Sequence, residues 1–195
     1  MVRPRDDEAA RVPPGQRLTR GWPILHASPV PSFNPALWQF RVWGRVERDI
    51  EWSWDELRAL PATTITSDFH CVTGWSKLDN TWEGISIHLV AEAAGIAGDA
   101  THALVWAPYG YSANLPLDVL IDDDVLLAWS HDGEPLEPEH GGPLRLVVPK
   151  RYAWKSVKWV NGLQILDRDS RGYWEERGYH NDAEPFAEQR YSWQE

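Results

Sequence analysis

Hydrophobic and polar positions alternate over residues 37–46, with Trp38, Phe40 and Val42 on one face, which predicts a strand. Ser53-Trp54-Asp55-Glu56 is a capping box, Ser53 as N-cap and Glu56 reaching back to it, and predicts a short helix stopped by Pro61. The β-branched run Thr63-Thr64-Ile65-Thr66 predicts a strand with Cys71 at its end. Ser86 caps a predicted helix over Ile87–Ala94, closed by Gly95. Farther on, apolar runs predict strands at 103–106, 125–129, 144–148 and across 155–166, with His131-Asp132-Gly133 as a turn. Asp122-Asp123-Asp124 predicts a solvated turn.

The 15 prolines argue against long helices and for strands joined by shaped loops, and no repeat or linker splits the chain, so a single domain over residues 21–195 is expected. Residues 1–20 mix charges with Pro13-Pro14-Gly15 and predict a flexible N-terminal arm. Between the two, Gly21-Trp22-Pro23 and Pro29-Val30-Pro31 force an extended path, expected to pack on the domain surface, with a ligand-site wall as the alternative.

Composition narrows the function. With 43% hydrophobic and 25% charged residues the chain of 195 residues can bury a sizeable core. A net charge of -10 opposes phosphate-backbone binding, so no nucleic-acid partner is expected. No stretch is long and apolar enough for a membrane span, and residues 1–20 show neither an apolar signal core nor a twin-arginine pair, so a cytoplasmic location is expected. The 13 tryptophans offer rigid apolar area with a polar N–H, useful in a core or around a bulky ligand.

Cys71 is the only cysteine, so it forms no disulfide within the chain. A buried inert thiol, a nucleophile, a redox sensor and a metal ligand are the alternatives, and the first is the commonest fate of a lone cysteine. His70 is its neighbour on a strand and points to the opposite face, which weakens a thiol-protease pairing. One cysteine and seven scattered histidines give no usual zinc spacing. A soft thiolate does suit a metal whose other ligands come from a cofactor. Farther along, His140-Gly141-Gly142-Pro143-Leu144-Arg145 lets backbone approach a ligand and sets Arg145 in an apolar run. That guanidinium calls for a carboxylate or a phosphate, and Lys158 can add charge to the same anion, while an internal Arg–Asp pair is the bland alternative.

Cys71-Val72-Thr73-Gly74-Trp75, Trp82-Glu83-Gly84, Leu126-Leu127-Ala128, the stretch 140–145, the stretch 155–159 and the late Gly172-Tyr173-Trp174-Glu175 and Gly178-Tyr179-His180 occur in that order. Together they resemble the molybdopterin-binding domain of the sulfite oxidase family, and within it the small sulfite-oxidase-like oxidoreductases and the catalytic subunit of the methionine sulfoxide reductase. The resemblance implies an α+β fold, mixed and β-rich, of the sulfite-oxidase type, and a Mo-molybdopterin cofactor, with Cys71 as the protein's thiolate ligand to molybdenum and the catalytic centre. It implies that His140, Arg145, Ser156, Val157 and Lys158 hold the pterin and its phosphate, with His26 near an N-terminal contact. It also implies oxygen-atom transfer or two-electron redox on a small substrate, such as an S-oxide or N-oxide, and a separate electron-transfer partner. The arginines that hold sulfite in sulfite oxidases fall at Leu25 and Ser76, so the sulfite site looks incomplete here. The family's haem and dimerisation domains have no counterpart in these residues. A non-catalytic domain that carries or senses the cofactor, and a thiol enzyme using Cys71, are the competing readings.

Overall fold

The computed structural model describes residues 5–195, so residues 1–4 of the expected arm lie outside it. Two sheets carry the fold. The first has six strands: β1 (Arg17–Leu18), β4 (Thr63–Cys71), β5 (Trp75–Ser86), β8 (Leu126–His131), β9 (Glu134–Pro135) and β10 (Arg145–Val147). The second has five, in the order β3 (Ile50–Ser53), β2 (Gln39–Gly44), β11 (Gly162–Leu166), β6 (His102–Trp106) and β7 (Ser112–Pro116). Four short helices complete it: α1 (Asp6–Ala9), α2 (Trp54–Arg58), α3 (Ile87–Ala94) and α4 (Leu117–Leu120). This is the α+β, sheet-rich architecture expected. No helix among the described residues is long and apolar enough to cross a membrane.

Local signals act as the sequence predicts. Glu56 N donates to Ser53 Oγ at 3.3 Å and Ser53 N to Glu56 Oε2 at 2.8 Å, closing the capping box at the start of α2. Ser86 Oγ accepts from His88 N at the start of α3, and Gly95 ends it in the left-handed region. The strand β5, which the sequence pattern does not reveal, is the longest at 12 residues and the hub of its sheet. It pairs with β1 at Trp75 and Ser76, with β4 from Trp75 to Gly84, and with β8 from Trp82 to Ser86. Gly84 is required there, because a Cβ would run into the Leu127 carbonyl of β8.

One expected strand is much shorter. Of residues 155–166 only β11 is a strand; 155–161 form turns. Lys155 N and Ser156 N donate to the carbonyls of Tyr152 and Ala153, and Trp159 sits at φ 55°, so that backbone turns and keeps only separate bonds to the β10 region, Leu146 N to Val157 O and Val160 N to Leu144 O. Within the expected arm, Arg17 and Leu18 pair in parallel with β5, and Arg11 bridges Asp68 at 2.5 Å and Asp79 at 2.6 Å.

Most of the core is one apolar cluster that includes Phe40, Leu57, Ile85, Leu115, Leu127 and Ile165. A smaller cluster around Phe69, Trp82 and Val147 lies under the end of β4. The segment after β11 is tied in by a fully buried ion pair. Lys155 Nζ meets Glu175 Oε1 at 2.6 Å and also donates to Asn114 O and Oδ1 at 2.8 and 2.7 Å. Trp154 Nε1 donates to the same Glu175 oxygen at 2.8 Å. Breaking such a pair from one side strands a charge out of water, so Glu175→Gln should destabilise the fold by roughly 3–5 kcal/mol in denaturant titration. A chain cut after Gly172 should lose at least as much; normal melting of either variant would refute the anchoring role.

Candidate active site

β4 ends at Cys71, and the chain reverses through Gly74, whose φ of 95° suits a residue without Cβ, into Trp75 of β5. The thiol is buried and lines a cavity of about 290 Å³. Thr73 Oγ1 lies 3.2 Å from Sγ and can donate to the thiolate. Burial pushes the Cys71 pKa up; the Thr73 hydrogen bonds and the charges of Lys158 and Arg190 pull the other way. His70 faces elsewhere, its Nδ1 2.8 Å from Ser76 Oγ, and burial lowers its pKa to about 4. No hydrogen bond joins His70 to Cys71 among the described residues, which leaves the thiol without a paired base.

Arg145 leaves β10 toward the same cavity and is 1% exposed. Its Nη1 donates to His140 O at 2.7 Å and its Nη2 to Ser156 O at 3.0 Å. Its Nε is buried with no partner. The rings of Trp22, Phe69 and Trp82 lie 5.3, 5.0 and 5.5 Å from Cζ. Among the described residues no carboxylate pairs with it, and burial lowers its pKa to about 9. The internal Arg–Asp pair is therefore not what holds this residue. Lys158 adds a second cation on the cavity wall, its Nζ 2.6 Å from Glu139 O. Burial first, and then the Arg145 charge, lower its pKa to about 7.

The cavity wall gathers Cys71, His26, Arg145, Ser156 and Lys158 from the expected set. His26 is exposed, with Nδ1 2.7 Å from Ser28 O and its ring edge-on to Trp159. Ser156 presents its carbonyl to Arg145 while its Oγ accepts from Val148 N. His140 and Val157 are not on the wall. The His140 ring stacks on Trp22 with centroids 4.0 Å apart and meets the Trp22 carbonyl at 3.1 Å, so it holds the wall from behind. Val157 packs in the main core, and its carbonyl accepts from Leu146 N.

Trp22, Leu25 and Ser28 line the cavity, so the stretch expected to pack on the surface takes the alternative role of a ligand-site wall. Its signal was present in the tryptophan beside paired prolines, whose fixed extended path brings no interior face of its own. Trp174 and Tyr179 of the late aromatic segment also line the cavity, as do Tyr111 and Trp75, whose Nε1 is buried without a partner. Of the two positions compared with sulfite-binding arginines, Leu25 is on the wall, while Ser76 is buried against His70.

This donor set fits a flat, phosphate-bearing cofactor that brings its own metal ligands. Two cations without carboxylate partners and a guanidinium N–H with no acceptor provide for a phosphate. Aromatic faces provide for a planar ring. Among the described residues no group of three or more His, Cys, Asp or Glu side chains could hold a metal ion, so the protein can add a single thiolate to ligands supplied from elsewhere.

Comparisons with known proteins agree with that donor set. Residues 27–174 match the family described as the oxidoreductase molybdopterin binding domain. The chain is 42% identical over 190 residues to the "Uncharacterized oxidoreductase YuiH" of Bacillus subtilis, covering 97% of this chain and 96% of that protein. It is 26% identical over 177 residues to the "Putative protein-methionine-sulfoxide reductase subunit YedZ1" of Azospira oryzae, covering 89% of this chain and 67% of that one. Its fold is similar to the sulfane dehydrogenase SoxCD from Paracoccus pantotrophus, with a TM-score of 0.67, 24% identity and coverage of 73% of this chain but only 41% of that one.

Lys158 makes the site's anion affinity depend on pH. Below about 7 its ammonium is charged, and above about 7 it is lost in the cofactor-free protein. Sulfate keeps its own charge through this range. Thermal stabilisation of cofactor-free protein by sulfate should therefore be greatest below pH 7 and fall as pH rises through it, and Lys158→Met should flatten the profile. A pH-independent shift in both proteins would show that Lys158 does not face the anion.

Proposed function

This chain belongs to the oxidoreductase molybdopterin-binding domain family, and on that premise we propose that the cavity at Cys71 is the active site of a molybdenum–molybdopterin enzyme acting on a small S-oxide, N-oxide or similar substrate. The observation that carries this reading is the buried Arg145 guanidinium, held by two carbonyls and no carboxylate, on the same wall as the only thiol. Bound there, Mo-molybdopterin supplies two-electron redox and oxygen-atom transfer.

The chain's own part divides by residue. Cys71 gives its thiolate to the metal, and Thr73 donates a hydrogen bond to that sulfur, which tempers its electron donation. Arg145 and Lys158 neutralise the phosphate, which restores to both cations the counter-charge that burial denies them. Ser156 and His140 hold Arg145 through their carbonyls, and His140 also pins Trp22. Val157 fixes the same loop to β10 through its carbonyl, and His26 closes the rim against Trp159. The surrounding rings keep water from the reacting centre. Leu25 on the wall favours a neutral substrate over sulfite, because among the described residues no Lys or Arg besides Arg145 and Lys158 lines the cavity to hold that anion. A separate electron-transfer partner completes the cycle.

A thiol enzyme is the weaker reading: burial raises the Cys71 pKa, and among the described residues no base is hydrogen-bonded to it. Protein expressed in a host that makes molybdopterin should contain near-stoichiometric molybdenum and pterin by elemental analysis and pterin fluorescence. It should turn over dimethyl sulfoxide or trimethylamine N-oxide with a reduced viologen dye. Cys71→Ser should fold normally and lose turnover by at least about a hundredfold. Full turnover in that variant sinks the assignment of Cys71, and loaded protein inert toward every oxide would favour a cofactor carrier.

A further inference from the structure

The turn of residues 71–74 is held from both sides by segments that lie outside the matched stretch 27–174. Gln16 Nε2 donates to Cys71 O at 3.1 Å, and Arg17 N donates to Gly74 O at 3.0 Å. From the other end of the chain, Arg190 Nη1 donates to Val72 O at 2.6 Å. Three of the turn's four carbonyls therefore accept from residues 16, 17 and 190. Arg190 also links the two segments to each other, since its Nη2 donates to Pro14 O at 3.3 Å. The guanidinium lies 5.0 Å over the Tyr152 ring and its side chain is only 16% exposed. Its backbone is fixed in turn, with His180 N donating to Arg190 O at 3.1 Å and Arg190 N to Gln194 Oε1 at 2.9 Å.

The turn needs this support. Cys71 is the last residue of β4, and the peptide that follows it has left the ladder. Rotation of the 71–72 and 72–73 peptides, whose carbonyls Cys71 O and Val72 O accept from Gln16 and Arg190, would swing the Cys71 Cα–Cβ bond and with it the sulfur. A charge-assisted bond to Val72 O opposes that rotation about twice as strongly as a neutral one. The forked guanidinium is the one side chain that can bridge Val72 O and Pro14 O at once in a fixed plane.

We propose that Arg190 is a positioning residue that fixes the direction of the Cys71 sulfur into the cavity, with Gln16 as its lesser partner at the same turn. The proposal rests on the reading of Cys71 as the metal ligand and goes beyond it, because it gives the two terminal segments a part in the site.

Cys71 is the only cysteine, so alkylation reports on it alone. Because the Arg190 charge also lowers the Cys71 pKa, rates are compared for the fully ionised thiolate, from a pH series on cofactor-free protein; on that basis Arg190→Met should alkylate at Cys71 about fivefold faster than wild type, as expected for loss of a hydrogen bond that closes the turn. Arg190→Lys, which keeps the charge and can reach one carbonyl, should fall between them. In loaded protein, Arg190→Met should keep its molybdenum content, shift its visible absorption spectrum and lower kcat for dimethyl sulfoxide with KM held, and Arg190→Lys should recover part of each. Should Arg190→Met fail to fold, Gln16→Leu removes a single bond to the same turn and should show the same changes at smaller size. Wild-type alkylation rates in the variants overturn the proposal, and so does faster alkylation with an unchanged spectrum. A Cys71→Ser protein with the wild-type spectrum would instead refute the ligand assignment itself, whatever the Arg190 variants do.

Discussion

A fully buried guanidinium with no counter-ion sets the terms for this fold. Left in an apolar strand, Arg145 would be among the most unfavourable groups in the chain. The structure answers with backbone carbonyls at His140 and Ser156 and with three aromatic rings around Cζ. Each answer fixes a different segment. The His140 carbonyl fixes the loop before β10, the Ser156 carbonyl fixes the turns before β11, and Trp22 fixes the extended stretch that leads in from the N-terminal side. Phe69 and Trp82 lie on β4 and β5, the pair that carries Cys71. Solvating one cation with protein thus assembles most of the cavity wall, and leaves one N–H of that cation free for an anion.

The two sheets share the labour unevenly. The second, together with α2 and α3, supplies about half of the main apolar cluster and none of the residues on the cavity wall. The first supplies Phe69, Cys71, Trp75 and Arg145. Long β5 matters here, because it carries the end of β4 on one side and β8 on the other, and β8 in turn carries β10. The spacing of the thiol from the guanidinium is therefore set by hydrogen-bonded ladders and not by a loop.

Legibility followed the range of the signal. The capping box at Ser53, the cap at Ser86 with Gly95, and the run of threonines leading to Cys71 are local chemistry and were readable residue by residue. β5 was hidden because Lys77, Asp79 and Asn80 break any alternation, and it is held by neighbours on both edges. β7 was hidden for a related reason: its Asn114 is polar yet fully buried, since it serves Lys155. Residues 155–161 looked like strand, but the contacts of Lys155 and Ser156 turn them back on themselves. Motif order named Cys71, Arg145 and Lys158 together, while nothing in the sequence tied Gln16 and Arg190 to the cysteine turn. A contact between residues 118 positions apart leaves no local trace.

The buried pair of Lys155 and Glu175 also dictates an order in time. Ribosomes make the chain from its N-terminal side, so Arg145, Cys71 and Trp22 all exist before Glu175 does. Until that carboxylate arrives, Lys155 has no charge partner, and Trp174 and Tyr179 are missing from the wall. A chain that reaches only Gly172 lacks that part of the wall, so the complete cavity exists only once translation has passed the aromatic segment.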